Sequence, residues 1–216
     1  MELLSVVRAR SIRLFDANDL NPRGKRIHPE LLGWLKETYG FSKVPSSAVD
    51  LDETKALAFI DGSFQISSGI FISVDLKIYN DGVVVDTRSS TKDGDEFIDQ
   101  MLRSMTKQFD LPYSPELFRR RLYLSELNVT CKTTLQGLNP KLKPFIDKIS
   151  RLLNAEVELS SIGFWAEQKT KAPFSPFRFE RKLNAPFSEN RYYAAAPLQT
   201  EDHLELLGEL ETILAE

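Results

Sequence analysis

Leu57 to Val85 reads LAFIDGSFQISSGIFISVDLKIYNDGVVV, and its pattern decides the fold. Ile70, Ile72, Val74, Leu76 and Ile78 alternate with Phe71, Ser73, Asp75, Lys77 and Tyr79, the period of a strand with two different faces. Ser67-Ser68-Gly69 turns the chain before it. Asp81-Gly82 after it is expected to give the two positive-φ residues of a tight hairpin. Leu57–Gln65 and Val83–Val85 are then the flanking strands of an antiparallel meander.

Working outward, Asp93, Asp95 and Glu96 load the start of a helix with negative charge, which its free N–H groups favour. Phe97, Met101, Met105 and Phe109 follow at every fourth position, so one side of that helix is expected to be buried. Upstream, Leu31, Leu32, Leu35 and Tyr39 form the stripe of a shorter helix that begins near Pro29 and closes at Gly40. Before it lie the loop Asp16 to Pro29 and a first strand that ends near Phe15 with Ser11-Ile12-Arg13-Leu14-Phe15. The Pro45-Ser46-Ser47 linker leads into the meander.

Leu111 to Pro115 carries two prolines and reads as a boundary, beyond which the order of elements repeats. Leu122–Lys132 is a strand. Asn139 and Pro140 open a helix with Leu142, Phe145, Ile146, Ile149, Leu152 and Leu153 on one stripe, expected to be buried. Val157–Gln168, Phe177–Leu183 and Arg191–Ala195 read as strands, and Thr200 caps a last helix whose buried side is Leu204, Leu207, Leu210 and Leu214. The expected fold is therefore α+β, with two similar β-α-β-β-β-α halves, residues 1–113 and 114–216, each an antiparallel sheet with helices packed on one face.

Composition narrows the function. The 216 residues are 42% hydrophobic and 27% charged, which excludes a disordered or collagenous chain. Cys131 is the single cysteine and shares a strand face with Leu127 and Val129, so it is expected in a core as an inert thiol. Met1 to Ser11 has no export-type apolar run, and no stretch is apolar long enough to span a bilayer. The expected compartment is the cytoplasm, with no membrane partner.

Catalytic signals are sparse. His28 and His203 are the two histidines, and no HxxxH, HExxH or CxxC spacing accompanies them, so no metal site is expected. There is no Gly-x-Ser-x-Gly elbow and no glycine-rich phosphate loop; Asp61-Gly62-Ser63 lies within a strand. Glu156, Glu158, Glu167 and Lys169 offer the Glu-x-Lys spacing of a metal-dependent nuclease, as Glu53 and Lys55 do, but no preceding aspartate completes either set. No cofactor is expected, and a non-catalytic chain fits better than an enzyme.

Charge is uneven. Residues 119–182 hold 13 Lys and Arg against 6 Asp and Glu, a net of +7 in a chain of net −3. Within and after this basic region Phe164, Trp165, Lys169, Lys171, Phe174, Phe177, Arg178, Phe179, Arg181, Lys182, Arg191, Tyr192 and Tyr193 interleave rings and cations. Two binding functions follow. In the first, an adaptor or assembly subunit docks a protein partner through residues 164–193, with Trp165, Phe174, Phe177 and Arg178 as anchors and Arg191, Tyr192 and Tyr193 beside them. In the second, RNA or single-stranded DNA lies on Arg119, Arg120, Arg121, Lys169, Lys171, Arg181 and Lys182. Regions of opposite sign also permit self-association.

The order helix, three strands, helix in each half resembles the double-stranded RNA-binding domain. That domain meets phosphate with a basic N-terminus on its last helix. Here those positions are Asp93, Asp95 and Glu96, or Glu201 and Asp202, and like charges repel, so the resemblance does not carry that binding mode.

Overall fold

The computed structural model describes residues 1–22, 28–45, 56–112, 114–165, 167 and 176–216. Its elements are β1 (Glu2–Leu14), α1 (Ala17–Leu20), α2 (His28–Tyr39), β2 (Leu57–Gln65), β3 (Phe71–Tyr79), β4 (Gly82–Thr87) and α3 (Thr91–Phe109), then β5 (Arg120–Thr130), α4 (Lys143–Leu153), β6 (Ser161–Phe164), β7 (Phe177–Arg181), β8 (Arg191–Ala196) and α5 (Thr200–Ala215). Apart from the single-turn α1, the order β-α-β-β-β-α occurs twice. The fold is α+β with antiparallel sheet. Two compact units share the chain, Arg8–Leu124 and Ser125–Glu216 with Met1–Val7, so β1 and β5 each contribute to both.

In the Arg8–Leu124 unit the strands lie in the order β2-β3-β4-β1, each pair antiparallel. Alternation sends Val74 and Leu76, Val83, Val85 and Thr87, and Ala9, Ser11 and Arg13 to one buried face. Helix α3 covers it with Phe97, Ile98, Met101 and Leu102, and Ser11 Oγ donates to Thr91 O at 2.8 Å. Ser90 caps this helix by accepting from Asp93 N–H at 3.1 Å, which contributes about 1 kcal/mol. Helix α2 buries Leu31, Leu35 and Tyr39, and the Tyr39 ring meets Phe97 at 4.9 Å. On the other face Arg10 holds Asp86 through two bonds, 2.6 and 2.7 Å.

Two details correct or complete the sequence reading. Of the Asp81-Gly82 pair only Gly82 has positive φ; the position needs glycine because a Cβ there would lie 2.2 Å from Arg13 O of β1. The first strand, for which the sequence marks only the end, starts at Glu2, its early part being Glu-Leu-Leu-Ser-Val-Val, where period 2 is weak.

The second unit has strand order β5-β8-β7-β6. Its core gathers Leu127, Val129 and Cys131 of the β5 segment, Phe179, Tyr192 and Ala194, and Leu207 and Leu214 of α5, with Val6 packed against it. Phe179 and Tyr192 stack at 4.5 Å. Cys131 is buried and free, as its strand pattern predicts. Gln199 rather than Thr200 is the residue before α5; Thr200 starts the helix and is itself buried.

Helix α4 departs from expectation. Its sequence stripe predicts burial, yet none of its residues is buried. Asn139 caps the preceding turn, accepting from Lys141 N–H at 3.2 Å, and α4 starts at Lys143. Lys143, Ile146 and Ser150 line a groove with Gly137 and Val157. At 100° per residue that side lies about a quarter turn from the centre of the apolar stripe. The apolar residues of the helix therefore turn outward, away from this groove.

Candidate interaction surface

Alternation along β7 separates the residues that the sequence interleaves. Phe177, Phe179 and Arg181 turn towards α5, while Arg178, Glu180 and Lys182 turn the other way. Phe179 is fully buried, and Phe177 is half-buried with its ring edge-on to His203 at 6.1 Å. Arg181 is also buried. Its guanidinium is paired with Glu158, lies 4.6 Å from the centre of the Phe187 ring and 5.2 Å from that of Tyr192, and donates to Phe187 O at 3.2 Å. Desolvation and carboxylate pairing commit it to the interior.

Strand β8 divides in the same way. Tyr192 belongs to the core, and burial raises its phenol pKa. Arg191 and Tyr193 occupy the opposite face, where Arg191 is exposed and bonded to Glu189 at 2.8 Å. Lys182 Nζ donates to Asn128 Oδ1 at 2.7 Å, and Asn128 Nδ2 donates to Ser5 Oγ at 2.9 Å. This face is polar and mixed in sign.

The edge of this sheet is different. β6 pairs with β7 on one side, Phe164 opposite Phe177, and ends the strand order. Its last residue Phe164 is 63% exposed and the next, Trp165, 78% exposed. Phe164 touches Phe177 at 5.7 Å between ring centres, so the apolar interior continues to the edge. Arg178, in register with Gly163, is exposed on the opposite face of the sheet. Trp165 and Arg178 are exposed, Phe177 is half-buried and Tyr192 is buried. Phe174, Lys169 and Lys171 lie outside the described residues.

Arg119, Arg120 and Arg121 belong to the other unit. Arg119 is held by Asp19 at 3.2 Å and Asp16 at 3.8 Å, and its N–H donates to Leu14 O. Arg119 and Arg120 line a pocket with Leu14, Phe15, Asn80 and Asp81. Arg121 lies 5.7 Å from the Phe118 ring centre. Nearby Arg13 is wholly buried, 2.5 Å from Asp95, which also accepts from Tyr123 Oη at 2.8 Å.

Of the nuclease residues, Glu158 faces Arg181, Glu156 lines the groove beside α4, Glu167 is exposed, and Lys169, Glu53 and Lys55 lie outside the described residues. Among the described residues no three His, Cys, Asp or Glu side chains converge as metal ligands. None of the helices described is long and apolar enough to cross a membrane.

No family model matches the sequence, and no curated protein matches it. Among solved structures, that of Methanococcus jannaschii TBP is similar over 99% of this chain and 97% of its own, at 11% identity and a TM-score of 0.42.

Proposed function

We propose that the chain is a non-catalytic adaptor or assembly subunit that docks a protein partner along the β6 edge, with Trp165 and Phe164 as anchors and Arg178 on the opposite face of the sheet. The observation that carries this reading is the exposure of two large adjacent rings at the end of an edge strand. Such rings lose contact with water when a partner covers them, and an extended partner segment can pair with the β6 edge, which no described strand covers, while seating side chains on the rings. Phe177 supports the platform from beneath. Arg191 and Tyr193 flank it on the polar face.

The nucleic-acid reading has less support on charge. Arg119, Arg181 and Arg191 each have a carboxylate partner, which reduces the net positive charge available to phosphate. The discriminating experiment is affinity capture with the whole chain and with Trp165→Ala and Phe164→Ala. A specific protein should be retained by the parent and lost at least tenfold by either variant, with Tm unchanged within about 2 °C because both rings are exposed. Capture unaffected by both substitutions overturns the proposal. Retention of a labelled oligonucleotide that falls with salt and with Arg119→Ala would favour the alternative.

A further inference from the structure

Helix α4 is amphipathic with its apolar side uncovered. Phe145, Leu152 and Leu153 are 62%, 76% and 65% exposed, and Ile149 lies on the same stripe. The exposed Lys143 and Lys148 border it, and from Lys141 to Arg151 the sole acidic residue is Asp147. A helix with this pattern needs an acidic, partly apolar counterpart.

The same chain carries one. Helix α5 has the sequence TEDHLELLGELETILA, with five acidic residues and no lysine or arginine. Its inward side is His203, Leu207 and Leu214. Outward, Leu206 and Ile213 are exposed and stand one heptad apart, which places them on one line of the helix, with the exposed Asp202, Glu205 and Glu209 around them.

From this complementarity we infer that the chain self-associates, α4 of one copy lying on the outer face of α5 of another. Phe145, Ile149 and Leu152 cover Leu206 and Ile213, while Lys148 faces Glu205 and Glu209. The contact joins unlike surfaces; two copies that exchange it about a two-fold axis satisfy both helices of each chain. Charge pairing at the rim fixes the choice of partner, and apolar burial supplies the attraction. This contact uses none of the residues assigned to the Trp165 edge.

The test is the molar mass of the full chain by light scattering across micromolar concentrations. The parent should rise from 24.6 kDa towards twice that value, less so at high salt. Leu152→Asp should remain monomeric. Lys148→Glu should also be monomeric, as should Glu205→Lys with Glu209→Lys, because each creates like-charged faces. Mixing these two charge-reversed chains should restore association, since every contact then joins opposite charges. Trp165→Ala should associate like the parent. Circular dichroism checks the fold of each variant, and the charge-reversed pair retains the test if Leu152→Asp unfolds. A parent that stays monomeric throughout overturns the inference, as does failure of the mixture to associate. Monomers whose α4 instead binds anionic lipid vesicles, with binding lost in Leu152→Asp, would assign the helix to a bilayer and also overturn it.

Discussion

His203 is buried on the first turn of α5, and neither ring nitrogen has a hydrogen-bond partner among the described residues. Burial lowers its pKa from 6.5 to about 4, because the charged imidazolium would lose its hydration. Between those two values the unfolded chain takes up a proton that the folded chain refuses. The contribution is therefore fully present above pH 6.5 and lost as the pH falls to about 4, a cost of about 3 kcal/mol. Urea midpoints at pH 7.5 and pH 4.5 should separate by less in His203→Phe than in the parent. An equal separation in both would refute the assignment.

A second residue-scale prediction concerns the buried ion pair of Arg13 and Asp95. Asp95→Ala leaves a guanidinium with no carboxylate inside the unit and should cost about 3 kcal/mol in a urea titration. Replacing both, Arg13→Met with Asp95→Ala, should cost less than the single change, because the stranded charge is gone. A double variant weaker than Asp95→Ala would show that ring stacking of Arg13 on Tyr123, 5.6 Å away, matters more.

At the scale of elements, α2 and α4 hold the same place in the repeated order and both carry apolar stripes, yet only α2 is buried on it. The difference lies in what faces them. Phe41 and Phe64 flank Tyr39, with Phe59 behind Phe41, and close the α2 side, whereas the flank of α4 lines an open groove with Gln136–Gly137 and Glu156–Val157. Helical periodicity records that a face is apolar and is silent about whether anything covers it. Two glycines test the local arguments by thermal melts. At Gly33 in α2 an added Cβ would meet nothing within 4 Å, so Gly33→Ala should stabilise by about 1 kcal/mol. Gly82→Ala should destabilise by about 3 kcal/mol, since the obstacle is the backbone carbonyl of Arg13 and has little room to move.

For the whole molecule, the two units differ in continuity. Arg8–Leu124 is one uninterrupted segment with its own core; the other unit joins Ser125–Glu216 to Met1–Val7, and both Met1 and Val6 pack against its core. A fragment of residues 8–124 should therefore melt cooperatively by circular dichroism, while residues 125–216 should lose cooperativity unless residues 1–7 are supplied. Cooperative melting of residues 125–216 alone would show that the β1 segment is dispensable.

Strand and helix periods are short-range properties, and they were enough to specify the 57–85 meander, the buried side of α3, the interior place of Cys131 and the repeated order of elements. Pairing of β6 and β7, the inward turn of Arg181 and Tyr192, the outward turn of α4 and the extension of β1 to Glu2 were decided by tertiary structure. Each depends on which residues distant in sequence come to lie opposite a given side chain. The two rings Phe164 and Trp165 illustrate the division: their chemistry is plain in the chain, but their exposure exists because β6 ends its sheet.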